Sequence, residues 1–455
     1  MKVRSMSTIV SVAVQDVRFP TSLSLDGSDA VNVAPDYSAA YVVIETSDGD
    51  SGHGLVFTSG RGNDIMAQAI GSLGTQFVGE AVEPLLADMG SVSRRLTRDS
   101  QFRWLGPEKG IIHMAAGALI NALWDLRAKR ANQPLWLLLA NLSVDELLSL
   151  IDFAHLTDAL SADEARAILE AGQVGKEARI AELMQHGYPA YTTSPGWLGY
   201  SDEKLVRLCK LAVAEGFGMI KLKVAGDLED DKRRLKLVRE AIGDHPVAVD
   251  ANQKWEIDEA IAWMNKLAEY APFWIEEPIS ADDLLGHLDV KRGIAPTRVA
   301  TGELVASRIQ FKQLLKLGAI DVMQIDSTRV AGVNENVANL LLAAKYGVPV
   351  CPHAGGVGLC EIVQHLSFFD YAVVSQSQEG RFIEYVDHLH EHFVDPAVVT
   401  SGRYAAPSRP GFSTEMLESS RTEWSYPDGA GWRSLDPSFR TADTRQLAER
   451  FSPYQ

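Results

Sequence analysis

The sequence is poor in cysteine, with three in 455 residues: Cys209, Cys351 and Cys360. They form no Cys-x-x-Cys pair, and their odd number excludes a framework of paired disulfides. Unpaired cysteines are typical of proteins that work in a reducing compartment. We therefore expect a cytoplasmic protein.

The chain also lacks long apolar runs and an excess of positive charge. No uninterrupted apolar stretch approaches the roughly 18 residues that a membrane-spanning helix needs. Lys and Arg number 43 against 60 Asp and Glu, so the net charge is −17. Nucleic acids and anionic membranes bind clustered basic residues, and we expect neither as a partner. Ordinary solubility is enough to explain the acidity.

The N-terminal stretch lacks the features of a signal peptide. Only a short apolar run separates Arg4 from Asp16, and within it Val10, Val12 and Val14 recur at every second position. A period of two is typical of a strand. We therefore expect a strand here and no cleaved leader.

Residues 1–155 mix strand and helix patterns, which predicts an α+β domain. Residues 10–19 and 37–46 alternate like strands of an antiparallel sheet, and a loop rich in Gly, Asp and Ser separates them. Residues 111–130 carry apolar side chains at helical spacing. Residues 156–188 are mostly polar and favour helix, so we predict a helical connecting insertion.

From residue 189 to residue 400, short apolar runs alternate with helical stretches. The runs are PAYTTS, MIKLKV, PVAVDAN, FWIEEP, RVATGE, VMQIDS, PVCPHA and FIEYVD. Eight strands separated by helices is the count of a (β/α)8-type barrel, which predicts an α/β fold with a TIM barrel. Residues 401–455 are rich in Pro, Gly and Ser, and we predict that they pack back on the first domain.

Polar residues end nearly every one of these runs. From the second run to the eighth they are Lys221 and Lys223, Asp250 and Asn252, Glu276, Glu303, Asp326, His353, and Glu384. Most neighbours in this series lie 26 or 27 residues apart, about the length of one strand, one helix and two loops. The spacing therefore places them on successive strands at the C-terminal face of the barrel, where barrel enzymes have their active sites.

The acids in this set predict a metal site. Asp250, Glu276 and Glu303 would repel one another strongly unless a cation lay among them, and an all-oxygen ligand set suits Mg²⁺. An acid at the end of one strand is weak support, because any barrel can carry one. The regular spacing of the whole set is what makes it specific.

The remaining residues predict acid–base chemistry. Lys221 and Lys223 lie at i and i+2, so both point into the barrel, and next to a cation one of them could act as a base. Alone, the pair would be read as solvated side chains. Asp326 and His353, one strand apart, could form a dyad in which the carboxylate raises the basicity of the imidazole. Each of them alone is more often structural.

A histidine-rich run, DHLHEH, extends from Asp387 to His392. It raises the alternative of a second metal site. Three histidines at every second position do not make a closed ligand set, however. We therefore predict a surface segment.

At these residues the sequence resembles the enolase superfamily, in its mandelate racemase branch, and it is most similar to L-fuconate dehydratases. The stretches that carry the resemblance are VRFPTSLSLDGSDA, PDYSAAYVVIET, RWLGPEKG, PAYTTSPGWLGYSDEK, VDANQKW, WIEEP, VNEN, PHAGGVGLCE and EYVDHLHEHF. It implies a (β/α)7β-type barrel with an α+β capping domain that the C-terminal segment completes. It also implies a homo-oligomer.

The resemblance implies Mg²⁺-dependent dehydration of L-fuconate to 2-keto-3-deoxy-L-fuconate. In this family a lysine or histidine base removes the α-proton while Mg²⁺ stabilises the enediolate. Lys223 would be the base, His353 the acid for the 3-hydroxyl with Asp326 behind it, and Lys221 a neighbour of the substrate carboxylate. The implied Mg²⁺ ligands are Asp250, Glu276 and Glu303. The implied substrate residues are Lys221, Asn252, His353, Ala354, Gly355 and Glu384 in the barrel, and Gly27, Ser28, Asp29 and Tyr37 in the cap.

The chain departs from the family pattern at three places. Ala154 stands where Arg is expected, residues 304–307 lack the usual Asn before Arg308, and residues 330–332 read VAG where a Gly pair is usual. These departures spare the catalytic set. They bear on the choice of substrate.

Three alternatives remain open. L-galactonate differs from L-fuconate only by a 6-hydroxyl, so a small change in the cap could exchange the two acids. A lysine and a histidine on opposite faces of the substrate could also racemise it. A barrel that binds without catalysis is disfavoured by the complete residue set. Formation of a 2-keto acid from a panel of sugar acids would separate these alternatives.

Overall fold

Three antiparallel strands form the cap sheet in the computed structural model, which describes residues 7–436. They are β1 (Ile9–Arg18), β2 (Ser38–Thr46) and β3 (Ser51–Thr58), with β2 in the middle. The first two confirm the strands expected from alternation. The sequence does not predict β3, because most of its residues are buried and its apolar pattern therefore has no period of two.

Seven helices complete the cap. They are α1 (Asn63–Gly74), α2 (Val82–Ala87), α3 (Met89–Thr97), α4 (Phe102–Leu105), α5 (Gly110–Arg130), α6 (Leu135–Asn141) and α7 (Val144–Leu150). The helix predicted over residues 111–130 is confirmed by α5, which packs on β3. Gly54 permits this approach, because a Cβ there would collide with the carbonyl oxygen of Ala118.

Parallel strands form the predicted barrel. They are β4 (Tyr188–Gly196), β5 (Ile220–Lys223), β6 (Val247–Asp250), β7 (Trp274–Glu276), β8 (Arg298–Thr301), β9 (Val322–Met323) and β10 (Ile383–Tyr385). They pair in chain order from β4 to β9, and β10 pairs with β4. The seventh predicted run contributes a single bridge, between Val350 and Met323, so it follows the wall of the barrel without a ladder.

Helices cover the outside of the barrel. The connecting segment contains α8 (Ala162–Gln173) and α9 (Lys176–His186), and the barrel helices are α10 (Asp202–Ala214), α11 (Leu228–Ile242), α12 (Ile257–Leu267), α13 (Leu284–Gly293), α14 (Arg308–Leu317), α15 (Gly332–Tyr346) and α16 (Leu359–Phe369). At the start of α10, the Ser201 side chain accepts the backbone N–H of Lys204, as an N-cap does. Among residues 7–436, no helix is long and apolar enough to cross a membrane.

The C-terminal segment returns to the cap. It contains β11 (Val399–Thr400), β12 (Arg403–Tyr404), α17 (Glu418–Glu423) and α18 (Ala430–Ser434). The indole N–H of Trp432 donates to the Arg18 carbonyl, and the backbone N–H of Met416 donates to the hydroxyl of Tyr41. Residues 1–6, at the start of the predicted N-terminal strand region, and residues 437–455 of the predicted C-terminal segment lie outside the described residues. The boundaries of the four predicted segments stay predictions.

Candidate active site

Strand ends bring the predicted chemical residues to one edge of the barrel. Lys223 is in register with Asp250, and Asp250 with Glu276, at the last positions of β5, β6 and β7. Because neighbouring parallel strands end together, these side chains meet although they are far apart in sequence. Glu303 follows the end of β8 by two residues and joins them.

Asp250, Glu276 and Glu303 form an acid cluster, in which one carboxylate oxygen of each lies within 4.8 Å of the others. Oε2 of Glu303 is buried and has no hydrogen-bond partner among the described residues. Burial raises the pKa of Glu276. Lys221 opposes this rise, but the negative charges of Asp250 and Glu384 add to it, and the resulting pKa is about 8. An all-oxygen donor set with this excess of negative charge fits a divalent cation such as Mg²⁺, which the three carboxylates would hold.

Both lysines of the second run are buried, so they are not a solvated pair. Lys221 forms ion pairs with Glu276, with Glu384 at 2.9 Å and with Asp250 at 3.3 Å. Nζ of Lys223 lies 2.6 Å from Oδ2 of Asp250. Burial lowers the pKa of Lys223, but Asp250 helps to raise it above its ordinary value. Lys223 is therefore protonated for as long as Asp250 keeps its negative charge.

His353 and Asp326 are hydrogen-bonded as a dyad, with Nδ1 of His353 2.8 Å from Oδ2 of Asp326. The other oxygen of Asp326 accepts the backbone N–H groups of Thr328 at 2.6 Å and of Arg329 at 2.9 Å. Burial lowers the pKa of His353, but Glu303 and Asp326 help to raise it to about 9. The imidazole is therefore held as a cation that can donate a proton into the site.

A cavity of about 340 Å³ lies between the strand ends and the cap. The predicted site residues that line it are Gly27, Asp29, Tyr37, Lys223, Asn252, Glu303, His353, Gly355 and Glu384. Lys221, Asp250 and Glu276 lie deeper, fully buried in the barrel, and Asp326 is hydrogen-bonded to His353. The predicted base, the predicted acid and one of the predicted metal residues, Glu303, therefore line one space, while Asp250 and Glu276 do not line it.

Two predicted substrate residues, Ser28 and Ala354, form hydrogen bonds that position the chain around this cavity. Oγ of Ser28 accepts the N–H of Gly199 at 3.0 Å, and the Ser28 carbonyl accepts the N–H of Leu198 at 3.1 Å, which joins the cap to the barrel. The backbone N–H of Ala354 donates to Glu384 at 2.7 Å. Their polar groups are already hydrogen-bonded to the chain, so both residues position their neighbours.

Some cavity residues were not predicted. Trp197, in the loop after β4, and Arg329, three residues after Asp326, both line the cavity. Nε of Arg329 donates to the Glu303 carbonyl at 3.0 Å, a contact that depends on how two loops meet. Gln253 and Glu277 also line the cavity, and their positions next to Asn252 and Glu276 are a signal that could have found them.

The histidine-rich run is a surface segment only in part: the side chains of Asp387 and Glu391 are 56% and 69% exposed, whereas its histidines are partly buried. Its three histidine side chains are only 14–16% exposed, because cap and C-terminal residues cover the run where it leaves β10. Their separate partners are Tyr37 for His388, Glu361 for His390 and Ser420 for His392. Three rings with three different neighbours make no shared ligand set. Within residues 7–436, the group with metal-binding spacing is the acid cluster.

One departure from the family pattern, Ala154, contacts Arg308, and another, residues 304–307, directly follows Glu303 in the chain. The Arg308 guanidinium donates to the backbone carbonyls of Ala154 at 3.2 Å and Asp152 at 3.1 Å. A backbone carbonyl serves Arg308 whatever side chain residue 154 carries, so this departure leaves the contact intact. Leu304, in the second departure, lines the cavity and can affect the choice of substrate.

Two family models match the chain. The model described as "Mandelate racemase / muconate lactonizing enzyme, N-terminal domain" matches residues 8–140. The model described as "Enolase C-terminal domain-like" matches residues 204–420. The first covers the cap, and the second covers most of the barrel and the start of the C-terminal segment.

Curated and solved relatives agree with these matches. The chain is 48% identical to the L-galactonate dehydratase of Hypocrea jecorina, over 94% of this chain and 97% of that protein. It is also 48% identical to human mitochondrial enolase superfamily member 1, whose crystal structure gives a TM-score of 0.93 over 95% of this chain and 99% of that one. The L-talarate/galactarate dehydratase of Salmonella typhimurium LT2, liganded with Mg and L-lyxarohydroxamate, gives a TM-score of 0.72 at 25% identity, over 93% and 94%.

Proposed function

Because the chain belongs to the mandelate racemase / muconate lactonizing enzyme family of the enolase superfamily, we propose that it is a Mg²⁺-dependent hydro-lyase that dehydrates L-galactonate. The observation that carries the reaction is the acid cluster, because its member Glu303 lines the same cavity as Lys223 and as His353 of the dyad. The 48% identity to an L-galactonate dehydratase supports this substrate ahead of L-fuconate, and so reverses the order expected from the sequence.

The chemical difficulty is the removal of an α-proton next to a carboxylate, because it places a second negative charge on the same unit. Mg²⁺, bound by Asp250, Glu276 and Glu303, would supply the positive charge that stabilises this dianion. Lys221 is buried between Glu276 and Glu384 and can hold the substrate carboxylate at the floor of the site. The reacting end of the substrate would therefore lie deep in the barrel.

Lys223 is the proposed base. The negative charge of Asp250 keeps Lys223 protonated. Lys223 can therefore act as a base once that charge is neutralised. Its amine then takes the C2 proton of the acid. General base catalysis of this kind typically contributes about 10²–10⁴-fold to the rate.

His353 is the proposed acid. Its cationic imidazole gives a proton to the departing 3-hydroxyl, which leaves as water, and the resulting enol becomes a 2-keto-3-deoxy acid. Asp326 orients the ring through Nδ1, so that Nε2, which lies 3.6 Å from Oε2 of Glu303, is the proposed donor to the substrate.

A panel assay tests the proposal. Purified enzyme with Mg²⁺ is offered L-galactonate, L-fuconate, galactarate and mandelate, and 2-keto acid is measured with a carbonyl reagent. We expect L-galactonate to react best and L-fuconate next. The Lys223→Ala variant is the matched control, because it keeps the acid cluster but lacks the base. The proposal would be contradicted if neither L-galactonate nor L-fuconate released a 2-keto acid, or if epimerised acid were the only product.

A further inference from the structure

Arg234, on the barrel helix α11, is buried and binds the backbone at the C-terminal ends of β4 and β5. Its Nη1 donates to the carbonyl of Lys223, the proposed base, at 2.6 Å. Its Nη2 donates to the carbonyls of Gly196 at 3.0 Å and Trp197 at 3.3 Å. Trp197 lines the cavity. One guanidinium therefore joins the strand that carries the base to the loop that carries a wall of the cavity.

The ladder between β4 and β5 is irregular where Arg234 binds. Its register shifts between Thr192 and Gly196. The two strands are also very close there, because a Cβ on Gly196 would collide with the carbonyl oxygen of Lys221. Buried carbonyls need hydrogen-bond donors, and a planar guanidinium offers several in a fixed arrangement. Arg234 therefore adds rigid hydrogen bonds at a place where the sheet itself is not regular.

The side chains of Lys223 and Trp197 face each other across this place. Nζ of Lys223 lies 5.6 Å from the centre of the Trp197 ring system. Because Arg234 binds the backbone carbonyls of both residues, it fixes how the two side chains lie relative to one another. Arg234 is not among the described residues that line the cavity, so it acts on the site through these two residues.

We propose that Arg234 is a positioning residue, which holds the end of β5 and the Trp197 loop so that the amine of Lys223 meets C2 of the substrate. This inference rests on the proposed function and adds to it a residue that does not touch the substrate. A misplacement of about 1 Å can slow a reaction by about 10²-fold. Substrate binding depends mainly on other groups, so loss of Arg234 should lower kcat much more than it raises KM.

Arg239, further along α11, is a matched control. It also donates to backbone carbonyls, those of Tyr270 at 2.8 Å, Gly243 at 3.0 Å and His245 at 2.7 Å. These carbonyls precede β6 and β7, so they lie at the end of the barrel away from the active site. The two arginines therefore share a helix and a kind of contact but bind opposite ends of the barrel.

Steady-state kinetics with L-galactonate and with L-galactonate deuterated at C2 test the role. Arg234→Lys keeps the positive charge, but its single nitrogen cannot reach both groups of carbonyls as the fork of Arg does. We expect kcat to fall about 10–100-fold, KM to change less than about threefold, and the isotope effect on kcat to be at least that of the wild type. Arg239→Lys should lower Tm and should change kcat by less than about twofold.

Arg234→Gln is the second variant, because it avoids a buried positive charge and keeps an amide donor. It should show the same difference between kcat and KM. The positioning role is overturned if Arg234→Lys and Arg239→Lys have equal kcat, if the loss lies in KM, or if the isotope effect becomes smaller. Failure of both Arg234 variants to fold also overturns it, since Arg234 would then act on stability.

A wild-type enzyme that releases no 2-keto acid overturns the proposed reaction instead. Amide hydrogen exchange then decides the role of Arg234, because it needs no substrate. In Arg234→Lys the backbone around Trp197 and Lys223 should exchange at least about tenfold faster than in the wild type, whereas Arg239→Lys should leave it unchanged. Equal exchange in Arg234→Lys and the wild type overturns the positioning role.

Discussion

Two groups of buried charges lie on either side of the loop that follows β8. The acid cluster reaches the cavity through Glu303. On the other side lies the Arg308 network, made of Arg308, Glu108, Glu335 and His113. Arg308 donates from Nη1 to Glu108 at 2.6 Å and from its backbone N–H to Glu335 at 2.7 Å. His113 and the backbone N–H of Ala331 contact the second oxygen of Glu335, at 2.6 and 2.7 Å.

The two groups differ in how far the chain satisfies them. Both Glu335 oxygens have partners within the Arg308 network, and although burial raises the pKa of Glu335, His113 and Arg308 bring it to about 2. Near the acid cluster, Oε2 of Glu303, Oε2 of Glu277 and Oδ1 of Asn252 are buried without a hydrogen-bond partner among the described residues, and the nearest cationic group to Oε2 of Glu303 is Nε2 of His353 at 3.6 Å. Satisfied charges hold the cap on the barrel, whereas unsatisfied ones indicate a place for ligands. The contrast makes four predictions.

Metal removal should have the largest effect, and it should act through the acid cluster. Treatment with a chelator should abolish dehydration, and Mg²⁺ should restore it. Mg²⁺ at about 100 times its Kd should also stabilise the fold by about 2.7 kcal/mol, seen as a rise in Tm. Glu276→Gln should reduce this rise. Full activity in metal-free enzyme would contradict the assignment of the cluster.

Removal of the proposed base and removal of the proposed acid should have different effects on the exchange of the C2 proton. Lys223→Ala should lower dehydration by about 10²–10⁴-fold and should abolish exchange of the C2 proton with solvent deuterium. His353→Asn should lower dehydration by a similar factor but permit exchange, because Lys223 and the acid cluster remain. The measurements are 2-keto acid release and NMR of the recovered substrate in D₂O. Normal exchange in Lys223→Ala with none in His353→Asn would reverse the two roles.

Disruption of the Arg308 network should lower the free energy of unfolding. Arg308→Leu leaves Glu108 and Glu335 buried without their cation, and we expect the free energy of unfolding to fall by about 3–5 kcal/mol. Arg103→Leu, which removes a half-exposed arginine 3.9 Å from Glu108, should change it by less than about 0.5 kcal/mol. Denaturant titration with Mg²⁺ absent measures both. A stable Arg308→Leu protein would show that the network is not what joins cap and barrel.

The smallest effect should come from His390, which lies outside the Arg308 network but likewise has a charged partner within the chain. Burial lowers the pKa of His390, but Glu361, 2.5 Å away, helps to raise it to about 9. The raised value means that this pair stabilises the fold below about pH 6.5 and that the contribution, up to about 3 kcal/mol, is lost as the pH rises toward 9. His390→Gln should flatten the decline in Tm over that range. An unchanged decline would assign the pH dependence to other groups.

The sequence by itself determined the barrel and the identity of its polar strand ends. Strand length, helix length and loop length together fix a spacing of 26 or 27 residues, so Asp250, Glu276 and Glu303 could be placed on neighbouring strands from their numbers alone. The side-chain period of two likewise placed Lys221 and Lys223 on the inner face. These are local regularities, and a local pattern is enough to show them.

Only the tertiary structure decided which loops meet above those strand ends. The contact of Arg329 with the Glu303 carbonyl depends on how two barrel loops meet. The place of Asp29 at the cavity and the partial burial of His388 against Tyr37 depend on how the cap sits on the barrel. Irregular loops have no repeating pattern that fixes their direction. Their geometry follows from hydrogen bonds between residues that are distant in sequence, such as that of Gly199 with Ser28, and it is this geometry that shapes the far end of the cavity.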